Sequence, residues 1–294
     1  TWQWAKILES LGHEVVIAEN STDAEADLLI ALHAERSHKA VLRFRKRRPE
    51  GGLIVALTGS DIYPEPDEKV RESIALADRL VVLQRKAFVQ IPEPDREKAR
   101  VIIQSAERIG RATPDDSRLD VCVVGHLRDV KDPMRAAEAS RLLPADSRIR
   151  ILHAGGTHEA KYRDRVETEM RENPRYEWLG ELDGQAVADL IASSRLMVMS
   201  SLFEGGARVV GEAFVHGTPV ISSRIDGVVG LLGDDYPGYF SAGDTAELAA
   251  LLNRFETDLG FADTLNGLIE NVAPQFSPER ERASWKALID ELAT

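Results

Sequence analysis

Short apolar segments alternate with longer amphipathic ones along nearly the whole chain, and they do so in two successive series. A strand covered on both faces reads as a brief, continuous apolar run, and returning to start the next parallel strand takes a crossover helix. The pattern therefore demands parallel sheets flanked by helices. In the first series strands are expected over residues 13–18, 27–32, 53–57, 79–83 and 100–103, with helices over 35–47 and 66–77. In the second, strands are expected over 120–124, 148–153, 176–179, 196–200 and 219–222. Its helices are expected over 133–143, 158–172, 185–193, 207–216 and 244–255.

A helix over 2–11 precedes the first series and is stopped by Gly12; an isolated amphipathic helix over 278–292 follows the second. The polar stretch 106–120, with Gly110 and Pro114, reads as a linker. The expected fold is α/β, with two Rossmann-like domains over 1–107 and 112–277. Residues 278–294 are expected to pack back on the first. A Rossmann half ordinarily opens on a strand, so the first strand of the N-terminal domain and the loop after it are expected to be missing.

Composition narrows the function. At 294 residues, 43% hydrophobic and 29% charged, the chain is an ordinary globular sequence of two-domain size. A net charge of −12 argues against general binding to a nucleic-acid backbone. The basic run over 43–48 reads as the solvated end of a helix, with a membrane-surface or acceptor contact as the minor alternative. No apolar run approaches the ~20 residues of a membrane helix. The single cysteine, Cys122, sits in an apolar run and reads as inert packing in a cytoplasmic protein. No His or Cys set has convincing metal spacing; His153 and His158 flank a Gly-Gly turn without a carboxylate partner.

The most informative segment runs Ser200-Ser201-Leu202-Phe203-Glu204-Gly205-Gly206-Ala207-Arg208-Val209-Val210-Gly211-Glu212-Ala213-Phe214-Val215-His216-Gly217-Thr218-Pro219-Val220. A strand end, a loop carrying Glu204 and two glycines, and a helix follow in order. The glycines let backbone approach a ligand, and the helix start offers N–H groups to phosphate or hydroxyls. Glu212 lies about two turns beyond Glu204, within reach of the paired hydroxyls of a ribose. Taken singly, two glutamates eight apart and a Gly-Gly turn are ordinary features.

Taken together they resemble the nucleotide-sugar signature of GT-B glycosyltransferases of family 4, in which Glu, seven residues, Glu-Ala and a later Gly-x-Pro-Val recur. Glu204, Glu212, Ala213, Gly217, Pro219 and Val220 match. The resemblance implies that Glu204, Gly205, Gly206 and Ala207 hold the donor sugar, and Glu212 the ribose. Upstream, Gly125-His126-Leu127-Arg128-Asp129-Val130-Lys131 is similar to the segment whose Arg and Lys neutralise the donor diphosphate. Lys131 matches. His126 replaces the usual Arg, and either His126 or Arg128 fills that role. A third match, Trp178-Leu179-Gly180-Glu181, implies backbone contacts to the base around Leu179. Its side chains read equally well as an ordinary strand turn.

In the first half, His33 and Thr58-Gly59-Ser60-Asp61 follow strands, and Gln104 follows another. Thr58 and Gly59 are expected near the leaving or acceptor group. Asp61 suits binding that group, acting as a base, or capping a turn or helix, and His33 either a helix-start residue or a catalyst. Gln104 is expected to line the cleft.

Several strings resemble a narrower group, the bacterial selenosugar synthases of selenoneine biosynthesis. They are Ala31-Leu32-His33-Ala34-Glu35-Arg36-Ser37, Leu57-Thr58-Gly59-Ser60-Asp61-Ile62-Tyr63, Leu80-Val81-Val82-Leu83-Gln84, the Glu204 to Glu212 segment, and Gly230-Leu231-Leu232-Gly233-Asp234-Asp235-Tyr236-Pro237-Gly238-Tyr239-Phe240. This resemblance implies a UDP-sugar donor such as UDP-N-acetylglucosamine, selenophosphate as acceptor, no tightly bound cofactor, no required metal, and pathway enzymes as possible partners. Arg36, Lys39, Lys131, Arg208 and Arg224 become the candidate anion contacts, with Arg208 also readable as a solvated helix-start arginine. Lys131, Glu204, Thr58 and Asp61 are the candidate catalytic residues. A family 4 transferase with another acceptor, a GT-B nucleotide-sugar epimerase and a non-catalytic binding module are the competing readings.

Overall fold

A computed structural model describes residues 2–19, 25–63, 65–110, 112–115, 117–157 and 159–292. The elements in chain order are α1 (Trp2–Ser10), β1 (Leu28–Leu32), α2 (His38–Arg47), β2 (Gly52–Leu57), α3 (Glu68–Leu76), β3 (Arg79–Val82) and β4 (Ala99–Val101). They continue with β5 (Leu119–Val124), α4 (Arg135–Ser140), β6 (Ile149–Ala154), α5 (Ala160–Glu172), β7 (Tyr176–Gly180), α6 (Gly184–Ser193) and β8 (Leu196–Met199). The last are α7 (Arg208–His216), β9 (Val220–Ser223), α8 (Asp226–Leu232), β10 (Tyr239–Phe240), α9 (Thr245–Thr257), α10 (Leu259–Val272) and α11 (Pro278–Leu292).

The chain divides into two compact units. One comprises Thr1–Ser105, Glu204–Gly206 and Ser277–Thr294; the other comprises Ala106–Phe203 and Ala207–Phe276. The first holds a parallel sheet in the order β1-β2-β3-β4, the second a parallel sheet in the order β10-β9-β8-β5-β6-β7.

Alternation along β2 and β3 explains why their runs are apolar throughout. Leu53, Val55, Leu57, Leu80 and Val82 face Val41 of α2 and Ile74 of α3. Ile54, Ala56 and Val81 face the other way, onto Trp4 and Leu8 of α1 and Trp285 and Leu288 of α11. Thus α11, though last in sequence, covers one face of the first sheet. Its fixing point is Glu281, 1% exposed. That carboxylate accepts the Trp4 indole N–H at 2.7 Å, the Gln3 amide at 2.6 Å, and the Ser105 N–H and hydroxyl at 2.9 and 2.6 Å.

In the second unit, local chemistry sets the helix ends. Asp183, Asp244 and Asp258 cap α6, α9 and α10 by accepting the N–H of Ala186, Glu247 and Phe261. Gly217, in the left-handed region at φ 81°, closes α7. Cys122 is buried within β5, and burial pushes its thiol up to about 12.

One expectation is corrected. Residues 13–18 form no strand: the His13 N–H bonds to the Leu8 carbonyl at 3.2 Å, and Val16 and Ile17 are 65% and 37% exposed. Their β-branched run suits a strand, but a strand forms only against a partner backbone, and none pairs with it among the described residues. The stretch over 106–110, inside the expected linker, is irregular and bonded to the rest of the second unit. Ala106 donates to the Phe276 carbonyl at 3.0 Å, Gly110 donates to His216 Nε2 at 2.9 Å, and Gln185 donates to the Ile109 carbonyl at 3.0 Å. These ties run mostly through backbone, which leaves little trace in composition. The helix expected from His158 begins on a residue outside those described; the observed α5 opens at Ala160. Helices α8 and α10 and strand β10 have no counterpart among the expected elements.

Candidate functional site

In a parallel sheet, loops at the carboxyl ends of the strands are the places where ligands bind. In the second unit those ends converge. Gly125, after β5, donates to the Ala154 carbonyl at 2.9 Å. Leu127 donates to the Gly156 carbonyl at 3.0 Å, and Gly155 to the Gly180 carbonyl at 2.7 Å. The Trp178 indole donates to the Gly155 carbonyl at 2.8 Å. The loops after β5, β6 and β7 are thereby one bonded set, with half-buried Leu179 at its margin.

His153 supports this set from inside the sheet. Its Nε2 donates to the Gly125 carbonyl at 3.1 Å and its Nδ1 accepts the Tyr176 hydroxyl at 3.0 Å. Burial holds the imidazole down to about 4, against an ordinary 6.5, although the Gly125 carbonyl pulls the other way. The ring is a neutral support for the Gly125 loop.

The loop after Gly125 carries His126 and Arg128 on the surface, over a fully buried Leu127. A single 3₁₀ turn, Asp129–Lys131, brings Lys131 back toward β8. The Asp129 carboxylate accepts the Tyr162 hydroxyl at 2.6 Å and Lys161 at 2.8 Å, contacts that hold it below the usual carboxylate range. Ser200, at the end of β8, donates its hydroxyl to the Lys131 and Asp132 carbonyls at 3.2 and 3.0 Å, and the Leu202 N–H reaches the Val130 carbonyl at 2.8 Å. The Lys131 turn and the strand end leading to Glu204 are therefore tied together. Asp129 and Ser200 lie in the segments singled out in the sequence but have no role assigned there, and Tyr162 lies outside them. Hydroxyls that bond distant backbone leave no local pattern.

From Ala207, which is buried, helix α7 presents Arg208 and Glu212 on one side, one turn apart. Arg208 Nε lies 3.1 Å from Glu212 Oε1. His216 lies one turn further, its Nδ1 donating to the Glu212 carbonyl at 2.7 Å and its Nε2 accepting the Gly110 N–H.

In the first unit, Glu204–Gly206 group with the end of β2. A Cβ on Gly205 would overlap the Thr58 carbonyl, and one on Gly206 the Leu83 side chain. Only glycine fits at 205. Asp61 is buried, and its carboxylate is already engaged: Oδ1 accepts the Thr58 and Gly59 N–H groups at 2.9 and 2.8 Å, and Oδ2 the Ala34 N–H at 2.8 Å. Both of its oxygens hold backbone N–H groups, the arrangement of a turn clamp. His33 occupies the left-handed region at φ 69°, uncommon for a residue other than glycine. Its Nε2 meets the Ser60 hydroxyl at 3.0 Å and its Nδ1 accepts the Arg36 N–H at 3.4 Å. Arg36 and Lys39 are exposed, and Gln104 is half-buried beyond β4.

Other charged features turn inward on the chain itself. Arg45, in the basic run, pairs with Asp78 at 2.9 Å and donates to three carbonyls. Arg224 pairs with Asp234 at 3.5 Å and lies over the Tyr239 ring at 5.2 Å. Among the described residues no group of three or more His, Cys, Asp or Glu is placed to hold a metal ion, and no helix is long and apolar enough to cross a membrane.

Residues 105–272 match the model of the family described as glycosyl transferases group 1. No curated protein matches the chain. Among solved structures, HepE from Anabaena, in complex with UDP and glucose, is 17% identical with a TM-score of 0.74, over 90% of this chain and 78% of that one. Sucrose-phosphate synthase from Thermosynechococcus elongatus is 20% identical with a TM-score of 0.75, over 90% and 73%. The trehalose 6-phosphate synthase from Burkholderia multivorans is 12% identical with a TM-score of 0.75, over 90% and 70%. At these identities the likeness is one of fold.

Proposed function

The chain belongs to the glycosyl transferases group 1 family and has the GT-B fold, and on that premise we propose that it transfers a sugar from a UDP-sugar to selenophosphate, forming a 1-seleno-sugar. The observation that carries the donor half is the bonded tie between the Lys131 turn and the strand end at Ser200 and Leu202. It joins the two segments that resemble a nucleotide-sugar site. HepE, of the same fold, is described with UDP and glucose, which supports a UDP-sugar.

In this reading Glu212 accepts the ribose hydroxyls and Glu204 the sugar hydroxyls. The backbone around Gly205, Gly206 and Ala207 approaches the donor, and the loop at Leu179 meets the base. Lys131, with Arg128 or His126, neutralises the diphosphate as the C1–O bond breaks. Selenium attacks C1, UDP leaves with the bonding pair, and water then cleaves the P–Se bond to release phosphate. Asp61 holds Thr58 and Gly59 in place, while His33, Arg36 and Gln104 are the acceptor-side contacts. Selenophosphate as acceptor rests on the strings at 31–37, 57–63 and 230–240.

The test is incubation with UDP-N-acetylglucosamine and selenophosphate, read by mass spectrometry. UDP and a selenium-bearing sugar are expected. Sugar transfer only to another acceptor overturns the selenium assignment; conversion of the UDP-sugar to its epimer without any acceptor overturns transfer itself.

A further inference from the structure

The Arg208–Glu212 pair on α7 is not explained by what it does for the helix. A cation at the first helical position opposes the macrodipole. In pairs four apart the favourable order places the acid first, and here the arginine comes first. The pair is also open to water, its side chains 52% and 26% exposed, where such contacts contribute little to stability. Yet Arg208 occupies the carboxylate that the donor reading gives to the ribose, and among the described residues it is the partner of that carboxylate.

The helix beneath is packed, whereas the arginine side chain is half exposed. Ala207, Val210 and Ala213 are all buried, so the backbone of α7 stays in place when the guanidinium moves. Arg208 and Glu212 are separated by ~6 Å along the helix axis. A nucleotide whose diol sits at Glu212 can therefore direct its diphosphate toward the start of α7, within reach of Arg208. A guanidinium fork can meet two phosphate oxygens at once, which suits Arg208 to a diphosphate.

We propose that Arg208 is a partner-switching specificity residue. In the unloaded protein it neutralises Glu212; when a nucleoside diphosphate binds, the diol takes over the carboxylate and the guanidinium moves to the diphosphate. This rests on the donor reading of the Glu204 to Glu212 segment. The switch makes the two halves of the ligand respond oppositely to loss of the arginine. A diol without phosphate competes with Arg208 for Glu212, whereas a diphosphate gains from Arg208.

Arg208→Gln and Arg208→Lys, compared with the unaltered protein by calorimetry against uridine and UDP, test this. Arg208 is exposed, so both variants should fold, which circular dichroism verifies. In Arg208→Gln, uridine should bind roughly two-fold tighter, in line with loss of an exposed pair. UDP should bind roughly ten-fold weaker, in line with loss of a charge-assisted contact. Arg208→Lys should keep only part of the UDP affinity, because lysine lacks the fork. Shifts of uridine and UDP in the same direction, or no shift of either, overturn the switch while leaving the donor site standing. An unaltered protein that binds neither ligand overturns the donor reading and the switch with it.

Discussion

Gly155 stands so close to the Gly125 carbonyl that a Cβ on it would overlap the oxygen. The contact fixes the separation of the loops after β5 and β6, and the same carbonyl accepts His153. In Gly155→Ala one loop must yield. Overpacking of this kind costs about 1–3 kcal/mol. The melting temperature should fall by several degrees, at roughly 2–4 °C per kcal/mol. UDP binding, measured by calorimetry, should weaken as well, because the displaced loop leads to Lys131.

Asp61→Asn separates a clamp from a base. The amide has one carbonyl oxygen where the carboxylate has two, and it turns an NH₂ toward N–H donors. The lost bonds should destabilise the protein by about 1–3 kcal/mol. Thermal unfolding should show that loss. A variant with unchanged melting and a large fall in kcat alone would instead assign Asp61 to the chemistry.

His153 gives stability a pH dependence. Its folded value, about 4, lies below the ordinary 6.5, so the unfolded chain takes up a proton that the folded chain refuses. Stability should be unaffected by this group above pH 6.5, fall as pH drops from 6.5 toward about 4, and level off below. The full loss is about 3 kcal/mol from a shift of that size. Urea unfolding across the window should show the slope, and His153→Gln should remove that part of it whatever its effect at neutral pH.

Glu281→Ala tests the anchoring of α11. Gln3, Trp4 and Ser105 all lose an acceptor in a buried place. An unsatisfied buried donor costs about 1–3 kcal/mol. Hydrogen exchange should speed up in α1 and α11, while the strands of the second unit, β5 to β8, keep their protection. Uniform loss across both units would show that the anchor stabilises more than the first sheet.

The architecture was legible in the residues because both faces of each parallel sheet are covered. Val121-Cys122-Val123-Val124 has no choice but to be a buried strand, and the helices between such runs follow from the crossovers. The glycines at 205 and 206 and the pair Glu204 and Glu212 could likewise be singled out, since close approach and paired hydroxyls demand those residue types at that spacing. What the residues left open was each side chain's partner. The run over 13–18 has strand chemistry but pairs with no strand among the described residues. Asp61 had no visible partner until the fold brought three N–H groups to its two oxygens. Arg208 and Glu212 could each stand alone until the structure set their side chains 3.1 Å apart. Periodicity follows from neighbours along the chain, so most of the strands and helices could be read from the residues alone. Hydrogen bonds and ion pairs between residues far apart in sequence depend on distances across the fold, so their partners became visible only in the folded chain.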